Sequence, residues 1–289
     1  MRRMQTFDRS IFGFMLCTLL ALLDPIEANA QPQDGTELTI ASSRLHFGYE
    51  EFDDYGSLLD RDEGFIRGYK IGLNHTSDRW VFAGAFSHHR GDAVYTGQTQ
   101  TGTPASTGTI EYITDVVLLT EHWPQSDYAI YVGAGHHHWD RDILAGKDAN
   151  GKSVSGMREC YSWWTNFVGV KSVMYEASSV TWIVDASLRH IHNPTINVTY
   201  GQYDTVTMAL GEQLGIRLSF PWRYSVNGYS SLNMEPYAES FAFGRSDDTP
   251  LTQNGIPAID PVTGEQQYVH EPSRQTINFG LIFGISQYF

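Results

Sequence analysis

Along much of this chain apolar and polar residues alternate at a spacing of two. The pattern is cleanest at Gln275–Phe289, QTINFGLIFGISQYF. Ile277, Phe279, Leu281, Phe283 and Ile285 share one parity there, and Asn278, Gly280, Ile282, Gly284 and Ser286 share the other. Successive strand residues point to opposite faces, so this spacing predicts a β-strand whose two faces meet different surroundings. A wholly apolar face opposite a small, polar one suits lipid outside and a filled polar lumen inside. Other segments read the same way. Val180, Trp182, Val184, Ala186 and Leu188 oppose Asp185, Ser187 and Arg189, while Ile130, Val132 and Ala134 oppose Tyr131, Gly133, Gly135 and His137. Leu210, Leu214, Ile216 and Leu218 oppose Gly211, Gln213, Gly215, Arg217 and Ser219. The run Trp80–Ser87, WVFAGAFS, is apolar on both parities and has no assignable side. Two charges break the pattern, because Arg67 and Glu212 take the lipid-facing parity of their strands. An Arg at mid-bilayer costs roughly 2–4 kcal/mol and far less near an interface. Either a bulge shifts the register at these two positions or they lie near the rim.

Ten strands are predicted, at 38–51, 64–75, 79–90, 108–122, 127–139, 158–175, 179–191, 205–220, 226–243 and 274–289. Their connections alternate in length. Long polar ones at 52–63, 91–107, 140–157, 192–204 and 244–273 are interleaved with short ones at His75–Arg79, Trp123–Asp127, Tyr175–Ser179 and Pro221–Ser225. Long loops on one side and tight turns on the other define a transmembrane barrel. The expected fold is therefore all-β, a transmembrane antiparallel up-and-down barrel of about ten strands, with eight or twelve as alternatives. An even count places both termini on the turn side. Lumen positions then include Glu50, Lys70, Asp115, Lys171, Asp185, Arg189, Arg217, Glu235 and Glu239, of both signs. A barrel of this size fills with side chains, and buried charges of mixed sign pair. Both points speak against a wide diffusion pore.

The first thirty residues have the layout of a secretory signal peptide. Arg2 and Arg3 begin it, Ile11–Leu23 forms its apolar core, and Ala28-Asn29-Ala30 is its cleavage site. Residues 31–289 then form one barrel domain. Only Cys160 remains after cleavage, which excludes an internal disulfide and a cysteine-based metal framework. Hydropathy averages hide barrels, since only every second residue must be apolar. With 16 Tyr, 15 Phe and 7 Trp, the chain has rings enough to seat at two membrane interfaces. A net charge of −14 makes it a poor nucleic-acid binder.

The carboxy-terminal segment, alternating, apolar and closing on Phe289, resembles the last strand of Gram-negative outer-membrane β-barrel proteins. The third residue from the end, often aromatic in that family, is Gln287 here. The resemblance implies location in the cell outer membrane, contact with outer-membrane lipid and lipopolysaccharide, and recognition by the barrel-assembly machinery through the strand ending in Phe289.

Histidine placement is the one sequence feature suggesting chemistry. His88 and His89, His136–His138, and His190 with His192 fall near the loop-side ends of alternate strands, accompanied by Glu50, Glu51, Asp53, Asp92, Asp140, Asp142 and Glu239. A rim of imidazoles and carboxylates can bind a divalent cation or supply an acid–base pair for hydrolysis. The candidate catalytic residues are His190, His192, Asp92 and Asp140; the candidate metal ligands are His88, His137 and Asp142. Neighbouring strand residues face opposite ways, so His136-His137-His138 is weak as a metal motif. No glycine-rich phosphate loop or dinucleotide fingerprint is present, and no organic cofactor is expected. In strand count and size the chain is similar to the omptins, whose rim protease site uses an Asp-x-Asp pair and an Asp–His pair. Asp140-x-Asp142 falls in the third long connection rather than the second, and His190-x-His192 stands where the Asp–His pair is expected. Arg189-His190-Ile191-His192-Asn193 resembles the short His-x-Ser-Asn motif of lipid A deacylases, with His192 in the serine position. Without a hydroxyl nucleophile that motif cannot form a covalent intermediate of the serine type. The sequence favours a barrel with long acidic outer loops and a structural or surface-interaction role. The alternatives are a rim hydrolase, protease-like or lipid A deacylase-like, and a narrow selective pore.

Overall fold

The computed structural model describes residues 33–99, 102–201 and 203–289; the signal segment expected over 1–30 lies outside them. Ten antiparallel strands follow one another around a closed wall. They are β1 Gly35–Phe52, β2 Leu58–Ser77, β3 Trp80–Gln98, β4 Pro104–His122, β5 Tyr128–Ile143, β6 Met157–Ala177, β7 Val180–Tyr200, β8 in two pieces (Leu214–Ser219 and Trp222–Ser225), β9 Ser230–Phe243 and β10 Ser273–Tyr288. Closure comes from β10, which pairs with β9 on one side and with β1 on the other, from Glu37↔Tyr288 to Phe52↔Ser273. Rolling up satisfies both edges of the sheet, which an open sheet would leave unpaired.

The alternation decides which side chains go where. Ile277, Phe279, Leu281, Phe283 and Ile285 are exposed on the outer wall, while Asn278 and Ser286 are buried inside. The ambiguous WVFAGAFS segment resolves in the same way. Trp80, Phe82 and Phe86 face outward, and Val81, Ala83 and Ala85 face the lumen. At the turn end, outward rings of Trp80, Tyr128, Tyr175, Trp182, Trp222 and Tyr224 border this apolar wall. Such a girdle is what a membrane interface favours.

Four features differ from the sequence reading. First, the strands run on past their expected ends, so the first two long connections shrink to 53–57 and 99–103. Polar residues there still pair across strands; polarity marked the edge of the apolar band and not the end of the ladder. Second, the segment expected as one strand over 205–220 is broken. Val206–Ala209 folds back onto Thr195–Val198 of β7, and β8 proper begins at Leu214. Leu210, expected to face lipid, is instead buried in the core. Third, Trp222–Ser225 continues β8, so the turn lies at 226–229 rather than at Pro221–Ser225. Fourth, Glu51, and not Glu50, takes the lumen parity of β1.

Inside, the barrel is divided along its axis. The loop-end half is packed with Leu45, Phe47, Tyr49, Trp139, Tyr161, Trp163 and Phe243, joined by Met208 and Leu210 and by Leu251 from the last loop. The turn-end half holds a cavity of about 870 Å³ that reaches the turn residues Ser178, Asn227 and Gly228.

Candidate functional site

Polar chemistry lies in three places: a buried cluster under the loop end, the turn-side cavity, and the outer wall. The buried cluster is built on two arginines. Arg141, on β5, has its Nε 2.6 Å from Asp62 Oδ2 and its Nη1 2.8 Å from Glu159 Oε2, with Glu51 at 3.5 Å and Asp60 at 3.8 Å. Its guanidinium also lies 4.4 Å from the centre of the Tyr49 ring. Arg274, at the start of β10, pairs with Glu271 at 2.8 Å and donates to the Tyr49 hydroxyl at 3.3 Å and to that of Tyr161. Trp139 donates its indole N–H to Glu111 at 2.5 Å and stacks on Tyr161 with ring centres 4.5 Å apart. Neither guanidinium reaches solvent, with side-chain exposures of 1% and 0%. Removing one partner from such a network leaves charges buried and uncompensated, at a cost of about 3–5 kcal/mol. Burial pushes the Glu271 carboxyl, in the last loop, up to about 8; Arg274 opposes the shift, and Glu159 and Glu51 add to it.

Glu51, Glu159 and Glu271 bring carboxylate oxygens within 4.8 Å of one another, a spacing that can hold a cation. Arg141 and Arg274 already occupy that role, so the cluster reads as an ion-paired plug. Sequence reasoning missed both arginines: Arg141 fell in the expected connection 140–157, and Arg274, at the first position of the expected strand 274–289, was given no side. The apolar residues Trp139 and Ile143, on the same parity as Arg141, were the signal available.

In the cavity, the lumen charges expected from parity, Glu50 apart, are present and are ion-paired or hydrogen-bonded. Arg217 binds Glu235 at 2.9 Å, Arg189 binds Glu239 at 2.8 Å, and Lys70 lies 3.6 Å from Glu235. Lys171 pairs with Glu121, and Tyr131 donates to Asp185 at 2.5 Å. His137 Nδ1 is hydrogen-bonded to Asp115, whose other oxygen accepts from Ser87 at 2.9 Å, and the imidazole stacks on Trp163. An Asp-held imidazole has the orientation of a general base. However, Ser87 bonds the carboxylate rather than the ring, so no nucleophile–base pair is formed.

The residues singled out as catalytic candidates are not brought together. His190 and His192 lie on the outer face of β7, each about half exposed, against Glu212 at 3.5 and 2.7 Å. Glu212 sits in the break before β8 and also accepts the Asn193 backbone N–H at 3.1 Å, which accounts for its outward place. Asp92 faces outward on β3 and Asp140 outward on β5, where Asp140 lies 3.4 Å from Arg158. Four strand spacings separate β3 from β7, roughly 19 Å of wall. The metal candidates are divided as well. His88 is outside on β3, bonded to Thr114; His137 is inside; Asp142 is outside, 3.6 Å from Arg158. The donors that do converge on the outer wall are His138, Asp140 and Cys160, within 4.8 Å.

No protein-family model matches the chain, and no curated protein matches it. Among solved structures, it is similar to the outer-membrane protease OmpT from Escherichia coli, with 11% identity and a TM-score of 0.59 over 92% of this chain and 99% of that one. It also matches the translocator domain of the autotransporter NalP from Neisseria meningitidis (10% identity, TM-score 0.46, covering 97% and 95%) and the toluene transporter TodX from Pseudomonas putida (9%, 0.37, 91% and 93%). At these identities the likeness to OmpT is one of fold: a closed ten-stranded barrel of the outer-membrane kind.

Proposed function

We propose that the protein is an integral outer-membrane barrel, closed to solutes, with its turn end in the periplasm and its loop end outside the cell. Its role is that of a scaffold whose loop end meets other surface or envelope components. An apolar outer wall with an aromatic girdle supports the membrane setting, and β10, ending beside Phe289, is the segment the assembly machinery would read. The observation that carries the closed reading is the filled loop-end half: a layer of aromatic side chains beneath Arg141, Arg274 and their carboxylates, with Leu251 of the last loop packed among them. A narrow selective pore would need a continuous polar path, and the cavity ends against Phe47, Trp139 and Trp163. A rim hydrolase would need converging groups, and His190, His192, Asp92 and Asp140 are spread around the outside.

Planar-bilayer recording on the purified chain tests this. The expected result is a flat baseline at moderate voltage; reproducible conductance steps would overturn it. Peptide and lipid A substrates should be recovered intact, and turnover abolished by His190→Ala with His192→Ala would restore the hydrolase reading.

A further inference from the structure

The outer wall carries a charged feature that a closed scaffold does not use. Arg44 on β1, Arg67 on β2 and Arg90 on β3 are direct partners in the strand register, Arg44↔Arg67 and Arg67↔Arg90. All three are exposed on the outward parity. The register runs unbroken through them, so no bulge turns Arg67 inward. Directly opposed residues on neighbouring strands stand ~4.5–5.5 Å apart at Cβ, which places the three side chains along about 10 Å of wall. Like charges so placed repel. Among the described residues none of the three forms an ion pair. Glu63, higher on the same face, is taken by His46 and Arg61, each at 3.3 Å. Asp92, two residues beyond Arg90, pairs with none of them. Arg90 lies 5.0 Å from the centre of the Tyr112 ring.

What surrounds the row gives it a direction. Two rows nearer the turn end, Ile40, Ile71 and Phe86 stand side by side and exposed. Between the two rows lie Ser42, Tyr69 and His88. Beside Arg44, across the closing seam, is the exposed Leu281. The wall therefore passes from apolar, through hydroxyl and imidazole, to guanidinium. This is the order of an amphiphile lying along it: acyl chain, polar linker, anionic head. Guanidinium is suited to phosphate, which accepts two of its N–H groups at once.

We propose that Arg44, Arg67 and Arg90 bind the phosphate-bearing headgroup of a lipid in the loop-side leaflet, with its acyl chains against Ile40, Ile71 and Phe86. The inference rests on the membrane-embedded reading above and names the lipid that this part of the wall holds. The phosphate supplies the counter-charge that the row lacks.

The full chain is refolded in phosphatidylcholine vesicles, extracted in mild detergent with a diphosphorylated glucosamine lipid, and read by native mass spectrometry. Failure to insert into phosphatidylcholine would sink the embedded reading itself; insertion followed by no retention of the phosphorylated lipid would sink only the present inference. The expected result is selective retention of the phosphorylated lipid over its dephosphorylated form. Retention should be at least about tenfold weaker in the Arg44→Gln, Arg67→Gln, Arg90→Gln triple variant, as loss of several charge-assisted hydrogen bonds requires. If the triple variant does not refold, Arg67→Gln alone should still lower retention by about threefold or more, and Arg67→Lys should recover part of it. Equal retention by parent and variants overturns the proposal. So does full competition by millimolar inorganic phosphate, which marks a simple anion site. A dimer that disappears in the variants overturns it in favour of a second copy of the chain.

Discussion

Glu271 shows how one residue's surroundings set a measurable property. It is held in the last loop beside Arg274, yet burial and the nearby Glu159 and Glu51 keep its carboxyl at about 8, against an ordinary 4.5. A carboxyl whose folded value is raised favours the folded state while it is protonated. That contribution is complete below the ordinary value, declines as pH rises, and is gone once pH passes about 8. The loop spanning 244–272 should therefore be docked more firmly at pH 5.5 than at pH 9. Hydrogen exchange or limited proteolysis within 247–270 at the two pH values measures this, and Glu271→Gln should remove most of the difference. An equally protected loop at both pH values would show that Glu271 does not set its docking.

At the level of strands, the wall depends on glycines that face aromatic residues. Gly280 on β10 is the register partner of Tyr237 on β9, and the Tyr237 ring occupies the space a Cβ at 280 would need. Tyr237 in turn lies beneath Arg217, whose guanidinium is 3.9 Å from the ring centre. Gly169 and Tyr131 repeat the arrangement between β6 and β5. Covering a strand glycine with a cross-strand ring pins the register. Gly280→Val should therefore displace Tyr237 and cost about 1–3 kcal/mol, the usual range for overpacking. Gly72→Ala, where the nearest atoms lie at 3.8–3.9 Å, should fall within about 0.5 kcal/mol of the parent. Urea midpoints in detergent micelles compare the two, and equal midpoints would remove the role assigned to the ring.

The same scale shows what the sequence could and could not convey. β5, β7 and β10 were legible because one parity carries an unbroken apolar run, Ile130 to Ala134, Val180 to Leu188 and Ile277 to Ile285, and the lumen charges Lys70, Asp115, Arg217 and Glu235 followed from parity alone. β8 was not, because Leu210 and Glu212 belong to a break in which Leu210 turns into the core and Glu212 caps the end of a histidine pair. The plug was hidden because Asp60, Asp62 and Arg141 look like loop residues until the strands that carry them are seen to continue. Partner choice among charges, Arg141 with Asp62 and Glu159 for example, is set by closure of the barrel and has no local signal in the chain.

For the molecule as a whole, the open question about a closed barrel is whether the wall or the last loop closes it. The loop contributes Leu251 and Glu271 to the plug. The wall contributes Phe47, Trp139, Tyr161, Trp163 and Phe243, together with Arg141, Arg274, Glu51, Asp62 and Glu159. The larger share is thus fixed to strands that stay paired whatever the loop does, since β9 and β10 meet from Ser230↔Gln287 to Phe243↔Arg274 without it. Replacing 247–270 by a short flexible linker should leave a folded barrel, recognisable by a heat-dependent shift in gel mobility, and one still silent in planar bilayers. Conductance appearing on loop replacement alone would make the loop the gate and the wall a channel beneath it. With the wall as the seal, conduction should require the further loss of Trp139, Trp163 and Phe243 to Ala, aromatic side chains of the packed loop-end half.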